Sequence, residues 1–149
     1  MNLENLIKEE NILLDIKSRE KYEFLHELCD FAEYRGLIQD KEEFYKVLEN
    51  RERLGSTGIG KNIAIPHGRS DCVKNITIIF ARHNDGIEFD SLDGQKAKIF
   101  FLLAAPLDVQ SKYLQVLANL SMLLRKEEFR ENIMKAQSPR EVIEILKEK

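Results

Sequence analysis

Cysteine is scarce in this 149-residue chain: Cys29 and Cys72 are the two present, without CxxC spacing. That argues against a disulfide framework or a thiolate metal site and leaves two reduced thiols. Long apolar runs are missing as well. The longest, near Ile99 to Leu107, is too short to span a bilayer, and the opening Met1-Asn2-Leu3-Glu4-Asn5 is acidic where a secretion signal is basic and then apolar. The expectation is a cytoplasmic protein with no direct membrane insertion. Charge of one sign is also lacking. Twenty-three Lys and Arg are interspersed with 26 Asp and Glu for a net charge of -3, which argues against a nucleic-acid partner. There is no internal repeat or low-complexity segment. The length, with 43% hydrophobic residues, suits one domain over residues 1–149.

What the chain does have is concentrated between Arg51 and Arg69. Gly55, Gly58 and Gly60 surround Ser56 and Thr57, so the backbone there can take positive φ and turn several N–H groups toward one anion, as in a nest. Ile63-Ala64-Ile65 follows as a short β-favouring run that Pro66 must end, since proline has no N–H for a ladder. His67 then sits at a strand's mouth with Gly68 behind it, presented as a nucleophile or acid/base near neutral pH. Upstream, Asp40-Lys41-Glu42-Glu43 has the form of a capping box, predicting a helix from Lys41 to about Arg53. Phe44, Val47 and Leu48 define its buried stripe. Arg51 falls on that stripe and Arg53 points away. A core-facing guanidinium requires an anion: a structural carboxylate, or the oxygens of a phosphate. Gly55 to Lys61 also fits a nucleotide-binding P-loop until Asn62, which stands where a magnesium-binding Ser or Thr is required. The context is wrong too, because a P-loop follows a buried strand and opens a helix.

Arg51-Glu52, Leu54 to Gly60 and Ile63 to Gly68 together resemble the signature of the fructose/mannitol-type IIA components of the bacterial phosphotransferase system (PTS), the EIIA type-2 family that includes nitrogen-regulatory members. Phe89-Asp90, Gly94, the run Ile99 to Pro106 and the helix from Tyr113-Leu114 extend the resemblance over nearly the whole chain. It implies a phosphohistidine carrier rather than a stand-alone sugar kinase. His67 takes a phosphoryl group from the carrier protein HPr, or its nitrogen-branch analogue, and hands it to a cysteine of a IIB component. The residues expected to stabilise the phosphoryl group are Arg51, Ser56, Thr57, Gly58 and Tyr113, with no metal and no cofactor. Tyr113 is a departure. The family commonly carries a second active-site histidine at the matching position; a tyrosine hydroxyl can donate to a phosphate oxygen but cannot carry positive charge. Its other reading is a core aromatic.

The remaining elements predict an α/β domain with a mixed, about five-stranded sheet and helices on both faces. Strands are expected near 12–16, 63–66, 75–82, 87–89 and 97–105, with a hairpin turn at Asn84-Asp85-Gly86 and another turn at Asp93-Gly94. The run Ala97 to Ala105 reads as a central strand buried on both faces and ended by Pro106. Ser18, Asp108 and Ser138 are expected helix caps, Gly36 a helix stop, and His26 and His83 surface, packing or loop residues, though proximity of His83 to the site stays open. Ile59, Ile65 and Phe89 are candidates for an apolar docking rim around His67. Two function classes follow from the resemblance: a carrier feeding a fructose-like sugar transporter, and a nitrogen-branch regulator whose phosphorylation state controls protein targets. A third is a member that binds without accepting phosphate, prompted by Tyr113.

Overall fold

Alternation along one strand organises the molecule. In the computed structural model, which describes residues 3–148, Ala97–Ala105 forms a nine-residue strand. Met1, Asn2 and Lys149, included in the expected single domain, lie outside the described residues. Side chains on successive strand residues point to opposite faces. Ile99, Phe101 and Leu103 therefore enter one apolar cluster and Phe100, Leu102 and Ala104 the other. Both clusters are buried, which is why the run is almost continuously apolar.

The strands in chain order are β1 (Ile12–Leu13), β2 (Gly58–Gly60), β3 (Ile63–Ala64), β4 (His67–Arg69), β5 (Thr77–Ile87) and β6 (Ala97–Ala105). The sheet runs β1-β5-β6-β3-β2, with β4 also paired to β6 beyond β3. The pairs β1–β5, β3–β6 and β4–β6 are parallel, whereas β5–β6 and β2–β3 are antiparallel. Helices α1 (Lys21–Tyr34) and α2 (Lys41–Leu54) cover one face; α3 (Gln110–Leu124), α4 (Glu127–Lys135) and α5 (Pro139–Glu148) cover the other. This is the mixed α/β architecture expected from the sequence, with six strands rather than about five. In the cluster under α1 and α2, Phe24 packs on Phe100 with ring centroids 4.3 Å apart and meets Phe89 edge-on at 6.3 Å. Each such ring contributes on the order of 1.5–3 kcal/mol by burial.

Local chemistry explains where expectation and structure part. Asp40 caps α2, its carboxylate accepting from the Glu42 and Glu43 amides at 3.0 and 3.1 Å. The Glu43 carboxylate does not close the box; it accepts from the Ser70 hydroxyl. Glu20, not Ser18, caps α1, and the Ser18 hydroxyl instead donates to Glu27. Asp108 does not cap α3, whose N-cap is Val109 with no side-chain bond. Gly36 takes φ +75 just after α1, and Ser138 accepts from the Glu141 amide at 3.2 Å ahead of Pro139, as expected. The leading strand is shortened to Ile12–Leu13.

The predicted hairpin at Asn84-Asp85-Gly86 is absent, and with it the return strand 87–89. β5 continues to Ile87, and five steps from Arg82 to Ile87 face two steps from Ile99 to Ala97. The surplus residues form a bulge. Gly86 takes φ +89 there, and its N–H donates to His83 Nδ1 at 2.9 Å, so the turn signals bend a strand without reversing it. The reversal comes later, where Gly94 takes φ +74 and its N–H donates to the Ser91 carbonyl at 3.0 Å.

Candidate phosphoryl-transfer site

The glycine-rich run does not fold as a phosphate loop. β2 and β3 form a hairpin whose two turn residues, Lys61 and Asn62, take φ +57 and +66, the left-handed pair that a tight hairpin needs. No helix follows, and the pattern match to a nucleotide-binding loop has no structural counterpart. The nest expectation is also corrected at two positions. The Thr57 N–H donates to Glu52 Oε1 at 3.1 Å and the Gly58 N–H to Ser56 Oγ at 2.9 Å, so both amides have partners inside the protein. The Ser56 hydroxyl donates to the Phe89 carbonyl and the Thr57 hydroxyl to Glu52 Oε2. Gly58 is packed closely enough that a Cβ would run into the Ser91 hydroxyl.

His67 opens β4 opposite Leu103, half-buried at the end of the sheet. Its Nδ1 lies 2.7 Å from the Ile65 carbonyl. A carbonyl only accepts, so Nδ1 carries the proton and a neutral ring keeps its lone pair on Nε2. Burial pushes the proton affinity of the ring below its ordinary value; the Ile65 bond opposes that, the Arg51 guanidinium adds to it, and the Glu52 carboxylate opposes it. The imidazole is therefore neutral at pH 7, the form that can act as a nucleophile.

Arg51 is half-buried at the end of α2. Its guanidinium donates to the Gly55 carbonyl at 2.6 Å, so its hydrogen-bond acceptor here is a main-chain oxygen. Arg53 points away, to Glu49 at 2.9 Å. On the other side Tyr113, in the first turn of α3, is buried, with its ring centroid 6.2 Å from that of His67. Burial holds its phenol up at about 12, against the pull of Arg69 and Arg51, so the hydroxyl keeps its proton. Tyr113 joins the apolar cluster, and its ring also lies beside that of His67.

Three functional candidates were missed from the sequence. Arg69, two residues from His67 in β4, stacks its guanidinium over Tyr113 at 5.5 Å and donates to the Leu107 carbonyl at 3.0 Å. The strand period of two was a usable signal, because it places residues 67 and 69 on one face. Glu52 and Lys21 form an ion pair at 2.9 Å with side-chain exposures of only 1% and 6%. Lys21 also reaches Asp90 at 3.6 Å and the Phe89 carbonyl at 3.4 Å. The apolar rim needs correction too: Ile59 is 46% exposed, but Ile65 and Phe89 are buried. Other large exposed apolar side chains include Leu54, next to Gly55, Leu107, whose carbonyl accepts from Arg69, and Leu114, next to Tyr113.

The other histidines stand apart. His26 stacks on Tyr45 at 3.5 Å. His83 lies on β5 beyond the pair Arg82–Ile99, at the opposite end of β6 from Leu103, and lines a separate cavity with Asp15, Arg19 and Lys96. Among the described residues no group of three or more His, Cys, Asp or Glu is placed to hold a metal ion, and no helix is long and apolar enough to cross a membrane.

A neutral histidine opening a parallel strand, with an arginine nearby and a glycine-rich hairpin beside it, is the arrangement expected for phosphoryl transfer. Residues 5–149 match the family described as phosphoenolpyruvate-dependent sugar phosphotransferase system, EIIA 2, and the chain belongs to it. It is 36% identical over 146 residues to the PTS system fructose-specific EIIABC component of Bacillus subtilis. That match takes in 98% of this chain but only 23% of the relative's length. Among solved structures, the nitrogen regulatory protein IIA-Ntr of Neisseria meningitidis superposes with a TM-score of 0.90 at 32% identity, covering 96% of this chain and 97% of that one. The mannitol enzyme IIA of Escherichia coli, in its complex with phosphorylated enzyme IIB, superposes with a TM-score of 0.81 at 26% identity, covering 97% and 100%.

Proposed function

We propose that the protein is a phosphohistidine carrier, the IIA step of a phosphotransferase relay, with His67 Nε2 as the acceptor atom. The observation that carries this reading is the bond between His67 Nδ1 and the Ile65 carbonyl, which leaves Nε2 with the lone pair in a ring kept neutral by burial. The lone pair forms the new N–P bond in line, and the donor phosphohistidine's N–P bond breaks with its electrons returning to the donor ring. The proton stays on Nδ1 throughout, donated in a hydrogen bond to the Ile65 carbonyl. The ring that results is an imidazolium, whose positive charge offsets part of the phosphoryl group's negative charge.

Arg51 and the Tyr113 hydroxyl would receive phosphoryl oxygens, with Arg69 adding positive charge behind Tyr113. Ser56, Thr57 and Gly58, whose groups are bonded internally, would shape the loop that carries Arg51's acceptor. For these groups to bind the phosphate directly, their internal bonds would have to open. The donor is HPr or its nitrogen-branch analogue, and the acceptor is the cysteine of a IIB component of a fructose/mannitol-type transporter. Leu54, Leu107 and Leu114 suit the transient, partly apolar contact that such exchange needs. The carrier would work in the cytoplasm as a phosphotransferase component.

A second reading, a nitrogen-branch regulator whose phosphorylation state governs protein partners, draws on the likeness to the Neisseria protein over 97% of its length. Both readings require the same phosphorylation. The test is incubation with enzyme I, HPr and labelled phosphoenolpyruvate. Wild type is expected to take up an acid-labile, alkali-stable label that His67→Ala lacks. An unlabelled wild type with a competent cognate donor refutes the carrier reading. A label that transfers to IIB proteins supports transport, and one retained against all of them supports regulation.

A further inference from the structure

A buried carboxylate in the last turn of a charged helix needs a physical account. Glu52 has 1% of its side chain exposed, and its pairing with Lys21 is weak evidence for stability, since desolvation offsets much of what such a pair gains. Its hydrogen bonds suggest a different use. Oε1 accepts from the Thr57 amide at 3.1 Å and Oε2 from the Thr57 hydroxyl, so both oxygens hold one residue of the hairpin. The Thr57 carbonyl in turn accepts from the Ile65 amide at 3.0 Å. The Ile65 carbonyl meets His67 Nδ1 at 2.7 Å.

These contacts form one continuous path from Lys21 to the imidazole. Ile65 is the joint in it. Because Pro66 follows, Ile65 is confined to extended backbone, and with its N–H held by Thr57 its carbonyl has one direction to face. Hydrogen bonds linked in a poorly solvated region also reinforce one another.

We propose that Glu52 is a positioning residue for His67: through Thr57 and Ile65 it holds the proton on Nδ1 and so makes Nε2 the nucleophile, with Lys21 as its buried counter-charge. This assignment rests on the carrier reading for its consequence in rate, but the tautomer can be measured without any phosphoryl donor. Lys21 also ties the path to the Asp90 segment, and the Ser56 hydroxyl binds the Phe89 carbonyl of the same segment. Two loops beside the site therefore share one anchor.

The experiment compares wild type with the double variant Lys21→Met/Glu52→Gln, which removes both charges together and strands neither. Nitrogen-15 spectra of the His67 ring read the tautomer above its pKa, and steady-state phosphorylation by phospho-HPr reads the rate. Wild type is expected to show predominantly the Nδ1–H form. The double variant should show a mixed population and a fall in kcat of about tenfold, the lower end of what outer partners of a reactive histidine are worth, with KM for the donor little changed. Thr57→Val, which keeps the ion pair and loses one bond to Oε2, covers the case of a double variant that does not fold. It should shift the tautomer in the same direction by less. A His67 ring still wholly Nδ1–H in a folded variant overturns the proposal, even if the rate falls. A wild type that shows the tautomer but takes no label refutes the carrier reading and leaves the positioning role standing.

Discussion

Gly68→Ala is a one-methyl change whose effect can be worked out from the packing. Gly68 lies between His67 and Arg69 in β4, facing α2. A Cβ there would stand 2.5 Å from Val47 Cγ1 and 3.7 Å from both Leu48 Cδ2 and Phe44 Cε1. The last two are ordinary contacts, so the whole conflict is with Val47. A β-branched side chain in a helix has essentially one comfortable rotamer, so Val47 cannot swing aside without strain. Either it leaves its rotamer or β4 moves off α2. Overpacking of this kind costs about 1–3 kcal/mol, which in a chain of this size is a fall in Tm of about 2–12 °C. The sharper measurement is the double variant Val47→Ala/Gly68→Ala. Removing the obstructing methyl should return at least about 1 kcal/mol beyond the sum of the single changes in urea unfolding. If β4 moves, His67 moves with it, and a displacement near 1 Å costs on the order of 100-fold in phosphorylation rate. Additivity within about 0.5 kcal/mol would refute the reasoning, because the clash would then not be with Val47.

On the carrier reading, pH dependence follows from His67, whose folded proton affinity lies below the ordinary 6.5. The unfolded chain then binds the proton first as pH falls, so there is no penalty above about 6.5; stability is lost from there down through the folded value and levels off below it. Phosphorylation rate should be flat above 6.5 and fall only lower, and NMR titration of the ring beside urea unfolding at several pH values checks both. Tyr113→Phe should shorten the lifetime of phospho-His67 by about three- to tenfold while changing stability by less than about 1 kcal/mol, since only one hydroxyl is lost; an unchanged lifetime removes the phenol from the site. Arg82 donates to the carbonyls of Ile133, Met134 and Ala136 at the end of α4, at 3.1, 3.3 and 2.6 Å. Arg82→Leu should cost about 2–4 kcal/mol in chemical unfolding, with Arg82→Lys recovering part. Burial pushes the Cys29 thiol up to about 12, so a thiol reagent at pH 8 should label it only once the chain is unfolded.

Much of this architecture was legible in the sequence because the signals were local. Asp40 before a charged helix, the apolar run to Ala105, and Pro106 after it each act within a few residues and need no partner. The turn signals at Asn84-Asp85-Gly86 misled because a glycine with positive φ serves a bulge as well as a hairpin, and only the partner strand decides between them. In the candidate site, the placement of His67 and Arg51 was legible, and the groups bonded around them were not. Phe44, Leu48 and Glu52 recur at four-residue spacing, as do Lys21 and Leu25, so opposite charges lay on the buried stripes of neighbouring helices. That pattern was readable. It is masked by the neighbouring Arg51, whose guanidinium has the more familiar affinity for phosphate. Ser56 and Thr57 looked like ligands for an anion because nothing local shows that Glu52 and the Phe89 carbonyl hold their hydroxyls.

The gap between β3 and β4 has a dynamic consequence. Ile63 pairs with Ile99 and His67 with Leu103, four steps on each strand, so the register runs unbroken across Ile65 and Pro66. His67 is consequently carried by the sheet rather than by a loop, and its position is coupled to the buried central strand β6. On the carrier reading, successive partners would meet a histidine whose place is set by the sheet, and the conformational entropy of fitting it to each of them would fall on the exposed leucines and on the partners' own side chains.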